Sequence, residues 1–303
     1  MKSEHGLGPQ NPGDGPLLRR LRLHQSWYRA VVLGLPSWGS TNGISARPLG
    51  SILCEKDSAA GLNFSSPKAL ELYRNRHAAG WGIDPRCSAY MTSSQALSIN
   101  LFGLLEEEAG WLLRCLSVWL ERPDLKVIKM CELEFAPARR SLHLNDQTRI
   151  DALIIAHGDR GPEAIAIEVK YADRFNSRRV NIATAPYRDL ASRSGLWTEP
   201  SWALSERRVN QLARIHALAT SYAMSLDIAV PVTLLVLTHD LDTSAAQVVG
   251  EYQRYVSGPL VRRVSISEAC NLVVDSAPPH CRGMAQNLLL RYGSEAASDT
   301  SVQ

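Results

Sequence analysis

Residues 148–173 read TRIDALIIAHGDRGPEAIAIEVKYAD. This stretch contains two apolar runs separated by turn residues. The first, Arg149 to Ala156, is dense in β-branched side chains. Gly158, Gly161 and Pro162 supply the turn, and the second run extends from Ala164 to Tyr171. Strand side chains alternate, so Ile165, Ile167 and Val169 share one face while Ala166, Glu168 and Lys170 share the other. In a hairpin the start of the first strand lies beside the end of the second. Asp151 is then expected next to Glu168 and Lys170. Packing alone does not account for two carboxylates and an ammonium at the end of an otherwise apolar hairpin.

Metal-assisted phosphodiester hydrolysis is the chemistry such a group suits. Two hard carboxylates can hold Mg²⁺ or Mn²⁺, which takes waters and phosphate oxygens as its remaining ligands. A lysine beside them can position or activate water and offset charge developing on phosphorus. Chance alone yields roughly one E-x-K in a chain of this length, so the tripeptide says little without its setting. A surface ion pair at a strand end is the plain alternative. The apolar strand around Glu168-Val169-Lys170, with a second apolar strand carrying Asp151 at hairpin distance, favours a site. A decoy at Pro123-Asp124-Leu125-Lys126 follows a long helix and reads as a loop.

Asp151, sixteen intervening residues and Glu168-Val169-Lys170 resemble the active-site pattern of the PD-(D/E)XK nuclease superfamily. Ile150 stands where the literal pattern has proline. Further segments, GLNFSSPKA, MTSSQALSINLFGLL, ELEFAP and the C-terminal RYG, are similar to a bacterial branch of that superfamily over about residues 20–293. The resemblance implies a restriction-endonuclease-like αβββαβ core, with a central mixed sheet flanked by helices. It also implies metal-dependent cleavage of nucleic acid, most naturally DNA. On that basis Asp151 and Glu168 are metal ligands and Lys170 assists the water. Gln211, on the helix after the catalytic strands, is an assisting residue or a plain surface glutamine. Glu134 is a candidate extra ligand. Glu106, Glu107 and Glu108, before the sheet, either add a carboxylate or form a solvated acidic turn. The alternative function is a non-catalytic nucleic-acid-binding or interaction module that keeps the fold.

Composition sets bounds without choosing among these readings. Of the 303 residues, 45% are hydrophobic and 21% charged, ordinary for a globular protein. A net charge of +3 permits nucleic-acid binding without demanding it. The six cysteines are scattered with no C-x-x-C pair, which suits a reducing cytosol. No apolar run approaches the ~18 residues of a membrane span, and the N-terminus lacks a signal-peptide core. A cytoplasmic location is expected. Oligomeric state is not legible, although a homodimer would suit double-strand cutting.

Residues 1–16 are expected to be a disordered tail, 17–91 an N-terminal extension, 92–293 the nuclease-like core, and 294–303 a loose tail. Leu17 to Val32 reads as a basic helix with a solvated face. Thr92 and Gln95 form a T-x-x-Q capping box for a helix carrying Leu97, Leu101, Leu104 and Leu105, with Gly110 as a kink before Trp111 to Leu120. A strand from Leu125 to Phe135 is expected to set Cys131, Leu133 and Phe135 opposite Glu132 and Glu134. Arg174, Arg178, Arg179 and Arg188 suit phosphate tracking. Trp197 and Trp202 either stack on bases or pack. Ser205 to Met224 is expected as one helix, with Gln211 and Arg214 on a shared flank.

Overall fold

A computed structural model describes residues 6–80, 82–175 and 180–299. Arg178, Arg179 and Trp81, which bear on the expected basic stretch and on the end of a helix, lie outside the described residues. The chain forms two compact units. One comprises Met1–Ala109, Tyr171–Asp173 and Ile266–Gln303, the other Gly110–Lys170 and Arg174–Ser265.

The first unit opens with helix α1 (Pro16–Trp27), whose Pro16 sits at the start where its missing N–H costs nothing. A π-helical turn follows at Tyr28–Val32. The expected solvated basic face is only partly found. Arg20 and Arg22 pair with Asp299 and Asp14, but Arg29 is fully buried. Its guanidinium donates to the carbonyls of Gly50 at 2.8 Å and Ser37 at 2.9 Å. Buried charge is tolerable when every donor finds an acceptor. Arg29 also donates to Gly6, and Leu7 is buried. The part of the expected N-terminal tail from Gly6 onward is therefore docked. At the other end Ala296–Asp299 makes one helical turn with Ser298 buried, where a loose tail was expected.

A two-rung hairpin, β1 (Gly39–Ser40) with β2 (Pro48–Leu49), then α2 (Glu55–Ala59) and α3 (Pro67–Ala78), lead to α4 (Ser94–Leu105). The cap of α4 is Ser93, whose side chain accepts from Ala96 N at 3.2 Å. The expected Thr92–Gln95 capping box does not form. Gln95 instead donates to Gly82 O at 2.7 Å and accepts from Asp84 N at 2.8 Å, so its amide ties down a loop.

The second unit begins at Gly110, which takes φ 79° before α5 (Trp111–Trp119). A left-handed conformation that glycine alone adopts cheaply makes this a break between two helices, where a kink was expected. A five-stranded sheet follows: β3 (Leu125–Phe135), β4 (Ile150–Gly158), β5 (Gly161–Lys170), β6 (Thr233–Thr238) and β7 (Val261–Ser265), neighbours in that order. The first two pairings are antiparallel and the last two parallel. Between β5 and β6 run α6 (Ala185–Ser194), α7 (Pro200–Ser205) and α8 (Asn210–Ser225), and α9 (Thr243–Gln253) joins β6 to β7. The expected αβββαβ order is present within a mixed sheet flanked by helices. The expected Ser205–Met224 helix is interrupted, with α8 starting at Asn210.

Leu153, Ile155, Ala164, Ala166, Leu234 and Val236 form the sheet face beneath α8, packed on Leu212 and Ile215. Alternation carries Asp151, Glu168 and Lys170 onto that same face at the strand ends. Phe135 departs from expectation. It packs against Tyr222 of α8, ring centroids 4.6 Å apart, rather than with Leu133. The reason is Glu134, whose left-handed φ of 52° breaks the strand's alternation. Among the described residues no helix is long and apolar enough to cross a membrane.

Candidate active site

Two features of the hairpin bring the carboxylates together. The β4–β5 ladder is in register from Gly158↔Gly161 to Ala152↔Ile167. Beyond that rung Asp151 takes over the backbone's role, accepting from Val169 N through Oδ2 at 2.7 Å. Asp151 thus spans to the strand that carries Glu168. Glu168 Oε1 receives Lys170 Nζ at 2.7 Å and Gln211 Nε2 at 2.7 Å. Gln211 is in the first turn of α8, and this bond links helix to strand over the site. Lys170 also lies over the Phe175 ring, 5.4 Å from its centroid, a cation–π contact that restricts a long flexible side chain.

Glu134 joins from β3. Leu133 pairs with Ala152 and Phe135 with Ile150, so Glu134 occupies the rung of Asp151. It is buried. Burial first, and then the charges of Glu168 and Glu134, push the Asp151 carboxyl well above its ordinary range, although Lys170 and the Val169 N–H pull the other way. Like charges beside a carboxyl in a poorly solvated spot raise its pKa in this manner, and such perturbation accompanies functional sites.

The donor set fits a divalent cation. Lys170 and Gln211 occupy one oxygen of Glu168, and Val169 N–H occupies one of Asp151. Among the described residues no three His, Cys, Asp or Glu side chains close into a metal cage. A hard cation bound through two carboxylates, its shell completed by water and phosphate, needs no such cage.

The remaining sequence candidates make other contacts. Glu107 accepts from Lys68 N at 2.9 Å and Glu108 faces His280 at 3.7 Å, while Glu106 caps the end of α4. These contacts match the acidic-turn reading. The Pro123–Lys126 decoy is tied up by ion pairs. Asp124 pairs with Arg122 at 2.6 Å, and Lys126 with Asp159. Trp197 is buried and donates to Tyr252 OH at 3.0 Å. Trp202 is half-buried and stacks on Tyr255 at 3.6 Å. Arg188 donates to Ala183 O at 3.0 Å and is exposed.

One cluster escaped the sequence reading. Asp146, five residues before Asp151, is buried and holds Arg214 Nε at 2.8 Å and Tyr187 OH at 2.6 Å. The only sequence signal was Arg214, one helical turn beyond Gln211. No curated protein and no solved structure matches the chain. A family model, described as the PD-(D/E)XK nuclease superfamily, matches residues 12–294. With that match over nearly the whole length, a mixed sheet in the expected order and an acidic hairpin end, the chain belongs to the PD-(D/E)XK nuclease superfamily.

Proposed function

We propose that this protein is a divalent-metal-dependent nuclease that hydrolyses phosphodiester bonds in DNA, with Mg²⁺ or Mn²⁺ as its cofactor. The observation that carries the reading is the meeting of Asp151, Glu168, Lys170 and Gln211 at one strand end. Asp151 and Glu168 would hold the ion, and Glu134 adds negative charge on the neighbouring strand. When bound, the ion supplies Lewis-acid neutralisation of charge on the phosphoryl group.

The protein's own groups do the rest. Gln211 and the Lys170 ammonium fix the Glu168 carboxylate by holding one of its oxygens. Lys170 presents its ammonium beside the carboxylates, where it orients the attacking water and offsets charge that grows on the phosphoryl oxygens. Phe175 limits the positions that ammonium can take. The apolar floor beneath, with Leu153 and Ala166 buried, keeps bulk water from screening these charges.

The test is cleavage of supercoiled, linear and single-stranded DNA, and of RNA of matched sequence, with Mg²⁺, Mn²⁺ or EDTA, beside a Lys170→Ala protein. Metal-dependent cutting of DNA that falls by about 10³-fold in the variant, in line with losing a transition-state charge partner, supports the proposal. Preferential cutting of RNA would replace the substrate. Absence of cutting by a folded protein under every metal would favour a module that keeps the fold and only binds.

A further inference from the structure

The far side of the sheet from the hairpin carries a second basic position level with the carboxylates. β6 runs parallel to β5 and pairs Thr238 with Lys170, and His239 N continues the pairing to Lys170 O at 3.2 Å. β7 runs parallel to β6 and sets Arg263 opposite Val236. Residues opposite one another on parallel strands point to the same face. Glu168, Val236 and Arg263 therefore share one rung and one face, and Lys170 and Thr238 follow on the next rung of that face. Val261, two residues before Arg263, belongs to the core under this face. The strand leaves the apolar floor where the arginine begins.

Arg262 and Arg263 are consecutive and go opposite ways. Arg262 turns to the other face and pairs with Glu121. Arg263 leans toward the strand ends and donates Nε to Thr238 Oγ1 at 2.8 Å. Thr238 is fully buried, so it anchors the arginine to a fixed point. A guanidinium held through Nε keeps donors on both terminal nitrogens. Among the described residues no carboxylate pairs with Arg263, and the residue is half-buried, so water still reaches it. Partial burial of a charge without an ion pair costs stability. Nor is Arg263 the counter-ion of Glu168, whose Oε1 already receives Lys170 and Gln211.

We infer that Arg263 binds a backbone phosphate of the substrate strand, one or two nucleotides from the bond that is cut. The inference rests on the nuclease reading for the place of the cut. Neighbouring strands lie about 4.8 Å apart, and the guanidinium is one hydrogen bond from Thr238, which sits on the strand beside Lys170. The guanidinium thus stands about 5–8 Å along the sheet from the root of Lys170, which is one or two steps of a nucleic-acid strand at ~3.4 Å each. The substrate then crosses the strand ends from β5 toward β7. A planar fork suits the paired oxygens of a phosphate. Its charge also eases the approach of a polyanion to Asp151, Glu168 and Glu134.

Binding of a short single-stranded oligodeoxynucleotide is measured in EDTA over a range of salt, for the unaltered protein, Arg263→Gln, Arg263→Lys and Arg262→Gln. Arg262→Gln removes the same charge from the opposite face and is the control. In Arg263→Gln the affinity is expected to fall about tenfold, as for one charge-assisted hydrogen bond, and the salt slope by about 0.7. Arg262→Gln should leave the slope unchanged, and Arg263→Lys should keep it. Equal losses in the two glutamine proteins would overturn the inference, as would no loss in Arg263→Gln or no binding by the unaltered protein. The position is read from a neutral methylphosphonate walked along a substrate that is cut. Cleavage by the unaltered protein should slow for a phosphate one or two steps from the cut, and Arg263→Gln should be indifferent to that substitution. Slowing that persists in Arg263→Gln also overturns the inference. If DNA is cut while the slopes are identical, the nuclease reading stands and the role of Arg263 falls. If the slope drops in Arg263→Gln alone and no DNA is cut under any metal, the phosphate contact stands and the nuclease reading falls.

Discussion

Glu168 accepts Lys170 and Gln211 on the same oxygen, so its remaining oxygen is aimed by bonds made to the first. Removing Gln211 loosens that aim without altering charge. Gln211→Ala is expected to lower kcat on DNA by about 10–100-fold, the usual effect of losing a ligand's orienting partner, while leaving KM nearly unchanged. Steady-state kinetics check this, and an equal rise in KM would mean that Gln211 binds substrate instead. The buried Asp146–Arg214 pair makes a different prediction. Asp146→Ala leaves a guanidinium buried and unpaired, at a cost of about 3–5 kcal/mol, readable as a lower denaturant midpoint. At this scale the sequence was informative where chemistry is local. Asp151, Glu168 and Lys170 could be placed because strand alternation and a short turn fix their relation. Asp146 could not, because its partners Tyr187 and Arg214 stand 41 and 68 residues away in the chain and leave no local pattern.

Elements show the same division. The hairpin and the body of α8 were legible from apolar periodicity, but a helix start is hard to read where two neighbouring residues compete for one job, as at α4. Thr92 and Ser93 can both cap a helix, and a one-residue change of register decides between them. Ser93 wins, and Gln95 becomes free to hold Gly82 and Asp84. Ser93→Ala is therefore expected to cost about 1 kcal/mol of stability, and Thr92→Ala, which removes no cap, less than Ser93→Ala, in chemical denaturation of the two proteins. A larger loss at Thr92 would return the cap to the box. The end of β3 was illegible for a steric reason. A left-handed Glu134 is costly for a residue with a Cβ, and period-two reasoning assumes that no such residue interrupts the strand. The interruption turns Phe135 toward Tyr222 and leaves Glu134 on the rung of Asp151.

Across the whole molecule, the αβββαβ order of the core was readable because its strands and main helices announce themselves locally. The division into two units was not, since the first unit gathers segments from both ends of the chain, and contacts between such distant segments have no signature in a linear pattern. Global stability depends on a similarly non-local arrangement in the second unit. His216 of α8 is fully buried, with Nε2 at 2.9 Å from Val232 O and Nδ1 at 3.2 Å from Tyr252 OH, which in turn accepts from Trp197 Nε1 at 3.0 Å. The chain of bonds is satisfied only if His216 is neutral, with its proton on Nε2 and Tyr252 donating to Nδ1. Burial lowers the His216 pKa from 6.5 to about 4. Above pH 6.5 the imidazole is neutral whether the protein is folded or not, and it has no effect on pH dependence. As pH falls below 6.5 the unfolded chain takes up a proton that the folded one refuses, and stability is lost. The loss continues down to about pH 4, where it amounts to on the order of 3 kcal/mol, and then levels off. Urea denaturation at intervals from pH 7.5 to 4 should show this decline, beside a His216→Gln protein that is less stable at pH 7.5 but lacks this component of the slope. Parallel curves for the two proteins would mean that His216 does not titrate on unfolding, and that acid sensitivity must be sought among the paired carboxylates instead.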